Sequence, residues 1–201
     1  MKTILTAACI FITTFSWCQH HERFVSFAIT NQHSAYPFSV FANLFAKDFH
    51  PGIEVGYGFN WKTATKHDWY QAFKAGYFYH RFVQHAIPLY TQVGYRYKLQ
   101  ERFRFSAALG AGYLHSIPAT AVLELANDGT YKNAKGIGRG QALLNFTIGA
   151  QYILSKNQQN ATAIFMDYGQ EIQTPFIKSY VPLLPYNHIA LGISHSLKAK
   201  K

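Results

Sequence analysis

The chain has 201 residues, of which 17% are aromatic and only 14% charged. It is long enough for one domain with a substantial core, too apolar for a disordered chain, and too poor in charge for an ordinary water-facing surface. Lys and Arg number 19 against 9 Asp and Glu, but they are scattered rather than gathered into an arm or stripe. No nucleic-acid partner is therefore expected, and anionic lipid head groups or charges inside the fold account better for the balance.

Lys2 is followed by an apolar run from Ile4 to Trp17 and an abrupt polar switch at Gln19-His20-His21-Glu22-Arg23. That is the layout of a secretory signal peptide, and the run falls short of the roughly 20 residues a spanning helix needs. The expected division is residues 1–18 as signal and 19–201 as the mature domain, so Cys9 and Cys18 leave with the signal and no disulfide holds the fold. No later apolar run approaches helical spanning length. The mature chain is then a soluble periplasmic protein, a secreted one, or a closed barrel, since only barrels cross lipid without helices.

A first strand is expected between Arg23 and Phe45, where Pro37 interrupts the pattern. From Ile53 to Trp61 the odd positions Ile53, Val55, Tyr57, Phe59 and Trp61 oppose Glu54, Gly56, Gly58 and Asn60. Strands follow at Trp69–Tyr79 and Leu89–Lys98. From Phe103 to Leu114 another apolar face opposes Arg104, Ser106, Ala108, Gly110 and Gly112. The clearest alternation runs from Gln141 to Tyr152, with Ala142, Leu144, Phe146, Ile148, Ala150 and Tyr152 on one face and Gln141, Leu143, Asn145, Thr147, Gly149 and Gln151 on the other; Thr162–Gln170 and His188–Leu197 complete the set. Side chains alternate faces along a strand, and aromatics lie near the ends of the apolar faces. A transmembrane barrel needs this: an apolar outside, aromatic girdles at the interfaces, and a lumen free to be polar.

The connections alternate in length. Lys62–His67, Leu99–Arg102 and Ser155–Asn160 are short, whereas Ala46–Gly52, His80–Pro88, His115–Gly140 and Glu171–Asn187 are longer. Short turns at one rim and longer loops at the other match the periplasmic and extracellular ends of outer-membrane barrels. The expected fold is an all-β, antiparallel, up-and-down transmembrane barrel of about eight strands in the cell outer membrane. A soluble periplasmic sandwich is the alternative architecture.

Gly192-Ile193-Ser194-His195-Ser196-Leu197 loosely resembles the ending by which such barrels are recognised by the insertion machinery, with His195 where an aromatic is usual and Leu197 replacing a terminal Phe. On His50-Pro51-Gly52, Lys66-His67-Asp68-Trp69-Tyr70, Gly76-Tyr77-Phe78-Tyr79-His80 and Val181-Pro182-Leu183-Leu184-Pro185 the chain resembles a family of small outer-membrane β-barrel proteins of Bacteroidota. That resemblance implies location and architecture, with no assigned chemistry.

Alternation places Glu54, Lys74, Arg96, Arg104, Asp167 and Glu171 toward the lumen, where opposite charges can pair. An eight-stranded barrel is just wide enough for side chains to fill it, so a plugged interior is expected in preference to a pore. Arg at Phe146 or Leu109 is expected to destabilise the inserted barrel, and Arg at Asn145 much less. The ten histidines, including His20, His21, His80 and His85, lack the spacing of a metal site, and neither a metal nor a cofactor is expected. A lipid-modifying hydrolase or acyltransferase is the runner-up function, with His115 and Ser116 as candidate catalytic residues near Glu124 and Asp128. Asn127-Asp128-Gly129-Thr130 reads as a small hairpin tip. The leading expectation is a barrel with a structural or surface-binding role, whose partners are outer-membrane lipid and lipopolysaccharide and whose surface ligand the sequence does not name.

Overall fold

The computed structural model describes residues 22–34, 49–127, 129–133, 135–155, 161–176 and 182–197. The signal segment, Pro37, Asp128 and the centre of the Glu171–Asn187 connection lie outside the described residues. Among the described residues there are ten strands: β1 (Arg23–Ser34), β2 (Pro51–Thr63), β3 (His67–His80), β4 (Gln84–Lys98), β5 (Phe103–Pro118), β6 (Leu123–Leu125), β7 (Tyr131–Asn133), β8 (Arg139–Ile153), β9 (Thr162–Thr174) and β10 (Leu184–Leu197). Eight close into one antiparallel barrel in the order β1-β10-β9-β8-β5-β4-β3-β2, and β6 and β7 form a separate two-stranded hairpin.

Stepping across paired residues from Arg23 through Phe59, Gln71, Val93, Leu109, Phe146, Gln170 and Asn187 returns to β1 at His33, a stagger of 10 residues. With a rise of about 3.3 Å per residue and about 4.8 Å between strands, that stagger tilts the strands roughly 40° from the barrel axis. Each residue then advances about 2.5 Å along the axis, so the strands are long enough to cross an apolar band of about 25 Å. Closure also leaves no sheet edge with unpaired backbone groups in lipid.

Outward positions carry the apolar residues. Phe27, Ile29, Ile53, Val55, Leu109, Leu144, Ile164, Leu191 and Ile193 are all exposed, Leu109 by 67%. A water-soluble fold does not leave a continuous belt of such side chains uncovered, and hydrocarbon is the solvent that suits it. Trp61, Trp69, Tyr95, Tyr97 and Phe103 lie outward toward the end that holds the connections 64–66 and 99–102, with Tyr77 and Tyr113 toward the other. A register shift between Asn60 and Lys62 sets Trp61 into the first girdle.

Two connections refine the sequence reading. His80–Pro88 is not a long loop: β3 and β4 run on to His80 and Gln84, and Val83 N–H closes a tight turn onto the His80 carbonyl at 3.0 Å. Pro88 is tolerated because its missing N–H falls where the β3–β4 ladder is interrupted, between the Ala75–Leu89 and Phe78–Ala86 pairs. The Asn127–Thr130 tip is present: Ala126 N–H donates to the Thr130 carbonyl at 2.8 Å, and Gly129 supplies the positive φ of 77° that the turn requires.

Candidate functional site

Two places can carry function, the lumen and the rim at the long-loop end. In mid-barrel, β2, β3, β4 and β9 bring together Glu54, Lys74, Tyr90 and Asp167. Lys74 Nζ donates to Glu54 Oε1 at 2.8 Å and lies 3.9 Å from Asp167 Oδ2, while Tyr90 OH donates to the other Glu54 oxygen. The lumen gives these charges partners instead of water, as buried ions require. Asp167 fits only because Gly149 faces it, since a Cβ there would lie 2.0 Å from Oδ1.

A second network sits beside the first. Gln92 Nε2 donates to Asn145 Oδ1 and to Thr147 Oγ1, the latter at 2.9 Å. Asn145 Nδ2 in turn donates to Glu171 Oε1 at 3.3 Å, and His188 Nδ1 stands 3.4 Å from the same oxygen. Toward the long-loop end, Phe78, Ala86, Tyr90, Leu114, Leu143 and Tyr186 pack into one buried cluster. Gln84 spans the lumen above it, with Nε2 donating to Gln173 Oε1 at 2.8 Å and Ser116 Oγ donating to its Oε1. The lumen is thereby closed by packed side chains.

All six lumen charges expected from alternation project inward, but they do not form one cluster. Glu54, Lys74 and Asp167 meet, and Glu171 joins the His188–Asn145 network. Arg96 and Arg104 lie in the other half of the barrel. Arg96 stacks on Tyr70 and Phe24, with its guanidinium carbon 4.6 and 5.2 Å from the ring centroids. Among the described residues neither arginine has a carboxylate within ion-pair distance. They line a cavity of about 70 Å³ with Ser26, Ser106, Ser194 and Gln151, room for a handful of waters. Sequence reasoning missed Tyr90, Gln84, Gln173, His188 and the Lys98–Asp68 pair at 2.7 Å. Asp68 shares the even positions of Lys74 on β3, so the alternation already pointed to it; Gln84 was hidden by the loop assigned to 80–88.

His115 and Ser116 do not meet. Neighbours on a strand point to opposite faces, and here Ser116 is buried in the lumen against Gln84 while His115 lies outside. The Ile137 carbonyl, 3.0 Å from His115 Nε2, can only accept, so Nε2 carries the proton and Tyr113 OH donates to Nδ1 at 2.9 Å. Glu124 is exposed on β6, away from Ser116's side of the wall. No nucleophile, base and orienting acid converge at this pair. Among the described residues no group of three or more His, Cys, Asp or Glu is arranged to hold a metal ion.

The long-loop rim is basic and partly apolar. Arg81 and Arg139 stack on Phe82 and Phe176, at 5.1 and 5.2 Å. Tyr77 OH pairs with His85 Nδ1 at 2.8 Å on the outer wall. Between β5 and β8 the β6–β7 hairpin sets Leu123, Leu125 and Tyr131 on one face and Glu124 and Lys132 on the other, and all three apolar side chains are more than 60% exposed.

No family model matches the chain. No curated protein matches it either. Solved structures do. Neisserial surface protein A is 8% identical over 88% of this chain and 97% of its own, with a TM-score of 0.50. Ail, the attachment invasion locus protein of Yersinia pestis, solved with the heparin analogue sucrose octasulfate, is 13% identical over 89% and 100%, at 0.46. The outer membrane enzyme PagL is 9% identical over 88% and 99%, at 0.44. With a fold shared with neisserial surface protein A, an apolar belt outside and a filled lumen, this chain is an eight-stranded β-barrel of the outer membrane.

Proposed function

We propose that the protein is a sealed outer-membrane scaffold that displays a binding surface to the exterior, with no transport or catalysis of its own. One observation carries the reading: above a lumen closed by Phe78, Leu114, Leu143 and Tyr186, the β6–β7 hairpin holds Leu123, Leu125 and Tyr131 uncovered. Small amphipathic hairpins on rigid scaffolds suit recognition, because the scaffold limits the entropy lost on contact. On this reading residues 1–18 are removed on export, the insertion machinery folds 19–201 into the membrane, lipopolysaccharide surrounds the outer leaflet half, and the resemblance to barrels of Bacteroidota marks the source. The runner-up lipid-modifying activity finds no support, since His115 and Ser116 lie on opposite sides of the wall.

The test has two arms. Cells displaying the protein are compared with cells in which 123–133 is replaced by a short Gly-Ser turn, scoring retention on protein-coated and polyanion-coated surfaces; loss of retention with unchanged display is expected. In planar bilayers the native barrel is expected to carry no steady current, and Phe78→Ala with Tyr186→Ala to open one. Steady conductance by the native chain, or retention indifferent to the hairpin, would overturn the proposal.

A further inference from the structure

The carboxylates that line or flank the luminal cavity are engaged away from its two arginines. Asp68, opposite Arg96 in the β3–β4 register, pairs with Lys98 Nζ at 2.7 Å. Asp167 and Glu54 share Lys74, and Glu22 at the mouth accepts from Asn60 Nδ2 at 3.1 Å. Arg96 and Arg104 therefore face the cavity without a counter-charge of their own. Arg96 is fixed over Phe24 and Tyr70, whose rings meet edge to face with centroids 6.0 Å apart. Arg104 Nε is buried and finds no hydrogen-bond partner among the described residues. Charges taken out of water need a partner, and here the wall supplies none.

The rest of the lining narrows the occupant. Guanidinium forks match the edges of an oxyanion, and the Ser26 and Ser106 hydroxyls add donors of neutral kind. Ser194 Oγ accepts from Gln151 Nε2 at 2.6 Å, so its own proton is free to point into the cavity. One acceptor stands among these donors: Gln151, opposite Arg104 in the β5–β8 register, has a buried Oε1 with no hydrogen-bond partner. A site of two cations, several hydroxyls and one unmet acceptor suits an oxyanion that still carries a proton. Phosphate does so at neutral pH, and sulfate does not. The volume of about 70 Å³ admits such an ion in place of a few waters and is too small for a nucleotide or a sugar phosphate.

We propose that the short-turn half of the lumen is a blind binding site for a single phosphate ion, held between Arg96 and Arg104 with its proton donated to Gln151. The packed cluster of Phe78, Leu114, Leu143 and Tyr186 closes the other end, so the ion enters and leaves past Glu22 and Arg23 at the mouth. It is held and not conducted. Arg96 and Arg104 supply the charge, and Gln151 separates phosphate from sulfate.

The full mature chain, folded in uncharged maltoside micelles and dialysed free of polyvalent anions, is titrated with inorganic phosphate at constant ionic strength, with binding read by calorimetry and phosphorus NMR. Uptake of one ion per barrel is expected, with sulfate weaker and acetate and chloride weaker still. Arg96→Gln and Arg104→Gln are each expected to weaken phosphate roughly tenfold, the loss of one charge-assisted hydrogen bond. Arg104→Lys, which keeps the charge without the fork, is expected to fall between. Gln151→Met is expected to erase the preference for phosphate over sulfate while leaving sulfate unchanged, and Arg81→Gln at the long-loop rim to change nothing. Heat-dependent gel migration confirms that each variant is folded, and in anion-free buffer Arg104→Gln is expected to leave stability nearly unchanged. No uptake by the native chain, or uptake indifferent to both luminal variants, would overturn the site. Sulfate or glycerol phosphate bound as tightly as the free phosphate ion would overturn the assigned occupant.

Discussion

The two halves of the lumen are built from the same alternating strands and filled in opposite ways. Toward the long-loop end, inward positions carry Phe78, Tyr90, Leu114, Leu143 and Tyr186, which interlock with Gln84 and Gln173 across the barrel. Toward the short-turn end the cavity is lined by Ser26, Ser106, Ser194 and Gln151 with Arg96, Arg104, Phe24 and Tyr70. Alternation decides which side chains enter a barrel; their volume decides whether it closes. The result is a lumen packed with large side chains toward the long-loop end and holding a cavity toward the other, with the Glu54–Lys74–Asp167 layer between them.

That layer offers the largest test of the contrast. Lys74→Met leaves Glu54 and Asp167 buried without their cation, and the expected cost is about 3–5 kcal/mol, read as a lower urea midpoint for the folded band of vesicle-inserted protein. Glu54→Leu combined with Lys74→Met removes one charge of each sign and is expected to recover part of the loss, since Asp167 still lacks its cation. If the double variant were as unstable as the single one, the pair would not be what holds this level of the barrel together.

The next effect lies on the outer wall. Leu109→Arg is expected to cost about 2–4 kcal/mol near the midplane, measured in the same titration, against little change at an interfacial position such as Tyr97→Arg. The sequence-based expectation that Arg at Asn145 would be cheap does not hold on the structure. Asn145 is 3% exposed and bonded to Gln92 and Glu171, so an added guanidinium has no room. Alternation correctly assigns Asn145 to the lumen, but a period of two carries no information on how full that lumen is.

The same limit separates what was legible from what was not. The eight strands, their faces and the inward direction of Glu54, Lys74, Arg96, Arg104, Asp167 and Glu171 follow from side-chain period alone, because lipid outside imposes an unbroken pattern. Partnerships across the lumen do not. Glu54 meets Asp167 through Lys74 only because the barrel closes with a 10-residue stagger, a property of the whole ring. The 80–88 connection proved shorter than expected because Pro88 is accommodated inside β4, its absent N–H falling at a gap in the ladder. His115 and Ser116 looked like a pair because they are adjacent in sequence, and on a strand that adjacency separates them.

The smallest expected effect divides the two luminal arginines. Arg96 covers Tyr70 and Phe24, so Arg96→Gln gives up a cation–π contact within a partly desolvated wall, at an expected cost of about 1 kcal/mol. Arg104 stacks on no described ring, and its Nε finds no hydrogen-bond partner among the described residues. Arg104→Gln removes an unmet donor, so its stability is expected to stay within about 0.5 kcal/mol of the native chain. The order matters more than either value. A larger loss at Arg104 than at Arg96 would mean that Arg104 is held by ordered water or an anion in the cavity, and that the short-turn half of the lumen is organised by more than its small residues.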